Sequence, residues 1–200
     1  METSGIWEAM ASRYDTDDRV GIANKIAEAI REELSGMEGE TAIDYGCGTG
    51  LVGMELLDLF HSVLFVDPSA RMIEQVDRKI AEGHIQQART MCCDFLNELP
   101  NGLQADYVIL SQVLLHIPDI RSILSKLYDV LKKDGHLIVV DFDKNETVVS
   151  QTVHNGFRQK ELIQLLREIG FASASAHTFH HGKGIFMNKD ASLFILAAIK

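Results

Sequence analysis

The chain holds no apolar run of the roughly 18 residues that a bilayer-spanning helix requires, which removes that class of membrane protein from consideration. Met1-Glu2-Thr3-Ser4-Gly5 has neither the basic start nor the apolar core of a secretion signal, so export is not expected. Cysteine is scarce: there are three, with Cys92 and Cys93 adjacent and Cys47 alone. An odd number without zinc-ligand spacing argues against a disulfide framework and a structural metal. The three are read as small, half-buried apolar residues in a reducing cytoplasm. Only three prolines occur, and no linker, repeat or low-complexity tract interrupts the chain. Positive charge is also in short supply: 19 Lys and Arg against 29 Asp and Glu leave a net charge of −10. Arg13, Arg19, Lys25 and Arg31 alternate with acids along what should be helix faces, as on a solvated surface. The basic stripe that grips a phosphate backbone is missing, and nucleic acid is disfavoured as a partner.

What is present is concentrated in nine residues, Ala42-Ile43-Asp44-Tyr45-Gly46-Cys47-Gly48-Thr49-Gly50. A strand running into glycines spaced two apart brings bare backbone against whatever lies over the turn. Glycine suits that place because a Cβ blocks close approach and opposes φ > 0. Leu51 to Leu57 then has the look of a helix. Ser62 to Val66 reads as a second strand ending on Asp67, with Pro68 closing the ladder. An acid at that strand tip, about 20 residues beyond the glycines, is placed to accept hydrogen bonds from ribose hydroxyls.

The spacing separates the possible nucleotides. A dinucleotide fingerprint needs a small third residue where Leu51 stands, and no Lys-Ser/Thr pair follows to make a P-loop. Asp44, two residues before Gly46, would repel a pyrophosphate but suits a ligand with a positive amino group.

Elsewhere, Arg19 to Leu34 is expected to be helical, with Val20, Ala23, Ala27, Ile30 and Leu34 on one face. Ser69 is placed to cap a helix carrying Met72, Ile73, Val76 and Ile80. Arg89 to Cys93, Tyr107 to Leu110 and His136 to Val140 read as further strands. Asp119 is placed to cap a helix through Val130, and Gly170 to end one over Arg158 to Ile169. Phe171 to Phe179 and Ala191 to Ile199 look like an antiparallel pair joined around Gly182-Lys183-Gly184.

Five segments in register resemble the class I S-adenosylmethionine-dependent methyltransferases, of the small type that acts mainly on small molecules. Asp44 to Gly50 matches the first, glycine-rich motif and Val63 to Ser69 the acidic second-strand motif. Cys93-Asp94-Phe95 matches the acid-bearing turn after the third strand. Asp106 to Asp119 resembles the fourth-strand motif, and Leu131 to Val140 the block leading into the fifth strand. The resemblance covers nearly the whole length. It implies one domain over residues 1–200, with residues 1–18 as a lid and 19–200 as the core. It also implies an α/β fold: a Rossmann-like doubly wound sheet of seven strands, mostly parallel with an antiparallel C-terminal strand, helices on both faces, in the order three-two-one-four-five-seven-six.

The resemblance implies S-adenosylmethionine as cofactor, with Asp44, Gly46, Cys47 and Gly48 at its methionine portion and Asp67 and Pro68 at the ribose. In this reading the turn amides meet the methionine carboxylate. Ser69, Met72, Asp94 and Phe95 would lie around the adenine, Phe95 against the ring face. Tyr14 would close over the cofactor from the lid, with Trp7 anchoring that lid, and Ser111 and Gln112 would lie beside the sulfonium. His116 keeps one of two histidines common in the fourth-strand motif. His116, His154 and Asp141 are the candidates for a general base, and the choice among them stays open. His177, His180 and His181 are read as an exposed loop feature, with no metal. The implied reaction is methyl transfer to a small-molecule acceptor. The alternatives are a cofactor-binding regulatory module and, less favoured, a nicotinamide oxidoreductase.

Overall fold

A computed structural model describes residue 5 and residues 8–36 and 39–200. Trp7 lies outside the described residues. The chain forms two compact units, residues 1–101 and 102–200, which are described in turn.

In the first unit the parallel strands β1 (Gly39–Tyr45), β2 (Phe60–Asp67) and β3 (Ala88–Cys92) run in the order β3-β2-β1. Helix α1 (Asp17–Glu33) starts at Thr16, whose side chain accepts a hydrogen bond from the Arg19 amide, one residue before the acidic pair Asp17 and Asp18. Acids in the first turn complement the helix dipole. Helix α2 (Ala70–Glu82) is capped as expected by Ser69, whose Oγ accepts from the Met72 amide at 3.2 Å. Met72, Ile73 and Val76 recur at helical spacing and are buried, and α2 packs on β2 and β3. Each such side chain contributes about 1.5–3 kcal/mol on burial.

The segment after the glycines is helical as expected, as a 3-10 helix over Gly53–Leu59. Its seven residues run straight into β2 at Phe60, so the longer rise of the 3-10 form bridges the turn and the strand in two windings. Cys92 is exposed, whereas Cys47 and Cys93 are half-buried as expected; all three are free.

The second unit contains β4 (Ala105–Ser111), β5 (Leu131–Phe142), β6 (Ser173–Phe186) and β7 (Lys189–Ile199) in the order β4-β5-β7-β6. β4 and β5 are parallel; β5–β7 and β7–β6 are antiparallel. Tyr107 to Leu110 and Leu137 to Val140 are buried without interruption, the pattern of strands covered on both faces. Helix α3 (Ile120–Val130) is capped by Asp119, and α4 (Gln159–Ile169) ends at Gly170 with φ 127°. Within each unit the strand order follows the expectation.

The terminal hairpin is longer than the sequence suggests. Its turn is Met187-Asn188, with φ of 51° and 60°, the pair of positive values that a type I′ turn demands. The expected turn at Gly182-Lys183-Gly184 is instead a register shift inside β6, with Gly184 at φ 67°. His177, His180 and His181 therefore lie in a strand rather than a loop, and His181 Nδ1 is 2.7 Å from Ser192 Oγ. Among the described residues no helix is long and apolar enough to cross a membrane.

Candidate functional site

In the first unit, the end of β1 turns through Gly46, Gly48 and Gly50, all with positive φ (71°, 54° and 79°). The turn is fastened to the tip of β2: the amides of Gly46 and Cys47 donate to Val66 O at 2.7 and 3.1 Å. The Gly48 amide donates to Asp67 Oδ2 at 2.9 Å, and the Ser69 amide to Asp67 Oδ1 at 2.8 Å. This corrects the expectation that turn amides meet the ligand. All three are spent internally, so the glycines contribute their conformation and their lack of a side chain.

Two carboxylates sit at this turn. Asp67 is 8% exposed; burial raises its pKa, the Ser69 and Gly48 amides pull it back, and the charge of Glu8 adds to the rise. Asp44 is 2% exposed, and its Oδ2 has no hydrogen-bond partner. Burial, then the neighbouring charge of Asp67, push its pKa up to about 7, partly offset by the Gly53 amide. A buried acceptor left unpaired carries its full desolvation cost, the state that a cationic ligand relieves. Gly53 makes the burial possible, since a Cβ there would fall 2.4 Å from Asp44 Oδ2. Gly53 thus takes the close-packing role for which the dinucleotide pattern looked to position 51.

The segment before α1 lies across the same turn. Tyr14 Cε1 is 3.9 Å from where a Gly48 Cβ would stand, and the Arg19 guanidinium covers the Tyr14 ring at 4.2 Å. Lys79 Nζ joins Asp15 Oδ2 at 2.7 Å to the Thr49 carbonyl at 2.8 Å, and the Thr49 hydroxyl donates to Asp15. The Ser69 hydroxyl donates to Glu8 Oε1 at 2.9 Å. Glu8, Asp15, Gly53 and Lys79 were not singled out from the sequence. Their contacts span up to 61 residues, and no local pattern marks them.

Other expected residues are placed differently. Phe95 is fully buried, its ring 4.8 Å from that of Tyr45, so its faces belong to the core and not to a ligand. Met72 is likewise buried. Asp94 closes its own turn, accepting from the Leu96 amide at 2.9 Å and from Asn97 Nδ2 at 2.7 Å. Pro68 is exposed. Burial pushes the Cys47 thiol well up, which keeps it protonated and poorly nucleophilic.

In the second unit, β4 ends at Ser111, and Gln112 holds φ 55° while its amide donates to Val140 O at 2.7 Å. Asp141 is fully buried and accepts from the Leu115 amide at 3.1 Å and the Phe142 amide at 2.8 Å. Burial pushes its pKa up to about 7 against these amides and that of Leu114. It anchors the 3-10 turn Leu114–His116. His154 is tied to the same turn. Its amide donates to Leu115 O at 2.8 Å, and its Nε2 lies 2.9 Å from Ile117 O. A carbonyl only accepts, so that nitrogen carries the proton. His116 is pushed down to about 4 by burial and is neutral at pH 7. A base with that pKa is poorly matched to neutral pH.

A family model described as a methyltransferase domain matches residues 43–137. A ubiquinone biosynthesis O-methyltransferase of Bradyrhizobium sp. (strain ORS 278) is 28% identical over 114 residues, covering 57% of this chain and 44% of the relative. An uncharacterized methyltransferase of Mycobacterium bovis is 30% identical over 140 residues, covering 70% and 66%. The solved structure of a methyltransferase from Aquifex aeolicus superposes with a TM-score of 0.70 at 16% identity, covering 96% of this chain and 97% of that one. At that identity the likeness shows the fold, the Rossmann-like, mostly parallel sheet with antiparallel C-terminal strands. The chain spans about half the length of the first curated relatives it matches, 46% and 44%.

Proposed function

We propose that this chain, which belongs to the class I S-adenosylmethionine-dependent methyltransferases, transfers a methyl group from S-adenosylmethionine to a small-molecule acceptor. The observation that carries this reading is the pair of buried carboxylates, Asp44 and Asp67, at a turn free of side chains. Among the described residues neither has an ion-pair partner, and Asp44 has an orphaned oxygen. A ligand with an ammonium and a sulfonium complements that charge, whereas a diphosphate would add to it.

When bound, the cofactor supplies an electrophilic methyl on a sulfonium together with its own leaving group. This chain's residues then bind, orient and exclude water. A carboxylate has about four acceptor sites, and Asp67 spends two on the Gly48 and Ser69 amides. Two are left for ribose hydroxyls. Asp44 favours the ammonium, and Tyr14 roofs the turn at Gly48. Gly46, Cys47 and Gly48 leave room for the ligand backbone, and Ser69 and Asp94 shape the edge of the base site. Met72 and Phe95 support the site from below. Pro68, Ser111 and Gln112 belong to it by family resemblance alone.

Residues 1–18 act as a lid on the core 19–200 within a single methyltransferase domain, a reading supported by the contacts of Glu8, Tyr14 and Asp15. His116 and His154 act as positioning residues rather than as a base, so alignment carries the rate. Several relatives are named O-methyltransferases, which makes a hydroxyl the first acceptor atom to test. Three free cysteines suit a cytoplasmic setting.

Thermal shift with S-adenosylmethionine, its demethylated product and NAD tests the ligand. Binding at a hundredfold excess over Kd stabilises by about 2.7 kcal/mol. Methyl-labelled cofactor incubated with a panel of hydroxylated and amino metabolites tests transfer. A shift with NAD alone overturns the cofactor reading. A shift with S-adenosylmethionine and no transfer across the panel favours a regulatory module.

A further inference from the structure

The second unit carries a cavity of about 270 Å³ that the glycine-turn chemistry does not use. Its apolar lining is Ile120 from the start of α3, Phe157, and Leu162 and Leu165 from α4. Its polar rim carries two cations, Lys144 and Arg158, against the single acid Glu161. In a chain of net charge −10, that local excess runs against the whole.

The two cations are available in different ways. Lys144 Nζ donates to Asn155 Oδ1, a neutral acceptor, and among the described residues no carboxylate pairs with it. Its charge is therefore solvated but not compensated. Arg158 pairs with Glu146 at 3.0 Å and Glu161 at 3.7 Å, but its side chain is 58% exposed. Exposed pairs of this kind contribute little and exchange readily. Arg158 is also the N-cap of α4 and makes no side-chain cap, so the positive end of that helix adds to the same rim.

The walls are built rather than loose. Lys144 and Asn145 amides donate to Phe157 O at 2.9 Å and Asn155 O at 2.8 Å, and the Phe157 amide to Phe142 O at 2.9 Å. Gly156 permits this closure: it holds φ 85°, and a Cβ there would fall 2.3 Å from Asp143 O. The ring nitrogen of His154 on Ile117 O fixes the third side. Preformed concave sites with an apolar lining and a few convergent polar groups are what small ligands use, and this volume lies near the lower end of about 300 Å³.

We propose that this cavity binds a small organic carboxylate carrying a single ring, the ring against Phe157 and Leu165 and the carboxylate between Lys144 and Arg158. The site stands on its own residues, whatever the acceptor of methyl transfer.

The test is amide-detected NMR on the full chain with benzoate as probe and benzamide as its neutral near-isostere. Benzoate should give saturable shifts at Lys144, Gly156 and the first turn of α4. Benzamide should bind at least tenfold more weakly, the loss expected when a charge-assisted hydrogen bond is removed. K144M should lose at least tenfold for benzoate and leave benzamide unchanged. R158Q should give a smaller loss, since Glu146 and Glu161 already share that charge. Both positions are at the surface, and an unchanged thermal midpoint confirms the fold of each variant. Equal affinity for benzoate and benzamide, no effect of K144M, or no saturable shift with benzoate would each overturn the assignment.

Discussion

Gly53 is the residue that lets Asp44 be buried: a Cβ at position 53 would fall 2.4 Å from Asp44 Oδ2 and 2.5 Å from Phe65 Cε1. Neither neighbour can retreat, because Phe65 is wholly buried in β2 and Asp44 is held at the end of β1. Gly53→Ala should therefore cost about 1–3 kcal/mol, the range for overpacking a filled core. Urea denaturation measures it. A change below about 0.5 kcal/mol, typical of surface sites, contradicts the packing account.

The raised pKa of Asp44, about 7, ties ligand affinity to pH. A cationic ligand favours the ionised carboxylate, so binding below that pKa must first remove a proton. S-adenosylmethionine affinity should fall as pH drops from 8 to 6, with a limiting slope of about tenfold per unit. Calorimetry in two buffers of different ionisation enthalpy should register release of up to one proton. Asp44→Asn should weaken binding and flatten the slope. A wild-type affinity independent of pH across that range removes Asp44 from the ligand's electrostatics.

Much of this molecule is readable in its residues because the cues are local. The caps at Ser69 and Asp119 each bind an amide three residues on, a distance at which sequence speaks directly. The strand tips at Asp44 and Asp67 were marked by glycine and proline. The site's fastening was not legible. Asp15–Lys79 and Glu8–Ser69 join residues that read individually as solvated charges or caps. Met72 suits a ligand and the core alike, Phe95 reads as facing the adenine ring, and both are buried. The hairpin turn was misplaced because Met187 and Asn188 take positive φ while nearby glycines advertised themselves more strongly.

Asp141 should give the opposite pH response in stability. Its folded pKa is raised to about 7 from 3.8, so between those values the folded chain holds the proton more tightly than the unfolded one. That stabilisation is present at low pH and is lost as pH rises towards 7, by about 1.4 kcal/mol per unit at most. Asp141→Asn cannot ionise. Its deficit relative to wild type, from the imperfect fit of an amide among three backbone donors, should shrink between pH 5 and pH 8. Thermal midpoints of both proteins across that range check this. A deficit that stays constant from pH 5 to pH 8 would mean that the amides hold Asp141 ionised throughout.

Lys79 bridges the segment before α1 to the glycine turn, touching Asp15 Oδ2 at 2.7 Å and the Thr49 carbonyl at 2.8 Å, with both side chains about one-third exposed (32% and 34%). Partial burial makes such a pair worth more than a surface contact, and the shared partner Thr49 couples the three residues. Lys79→Met and Asp15→Asn should each lower stability by about 1 kcal/mol and speed proteolysis of residues 8–16. Combined, they should not add: a double-mutant cycle should return a coupling energy above about 0.5 kcal/mol. Strict additivity would mean that the two side chains act separately, and that the segment over Gly48 is held by Tyr14 and Arg19 instead.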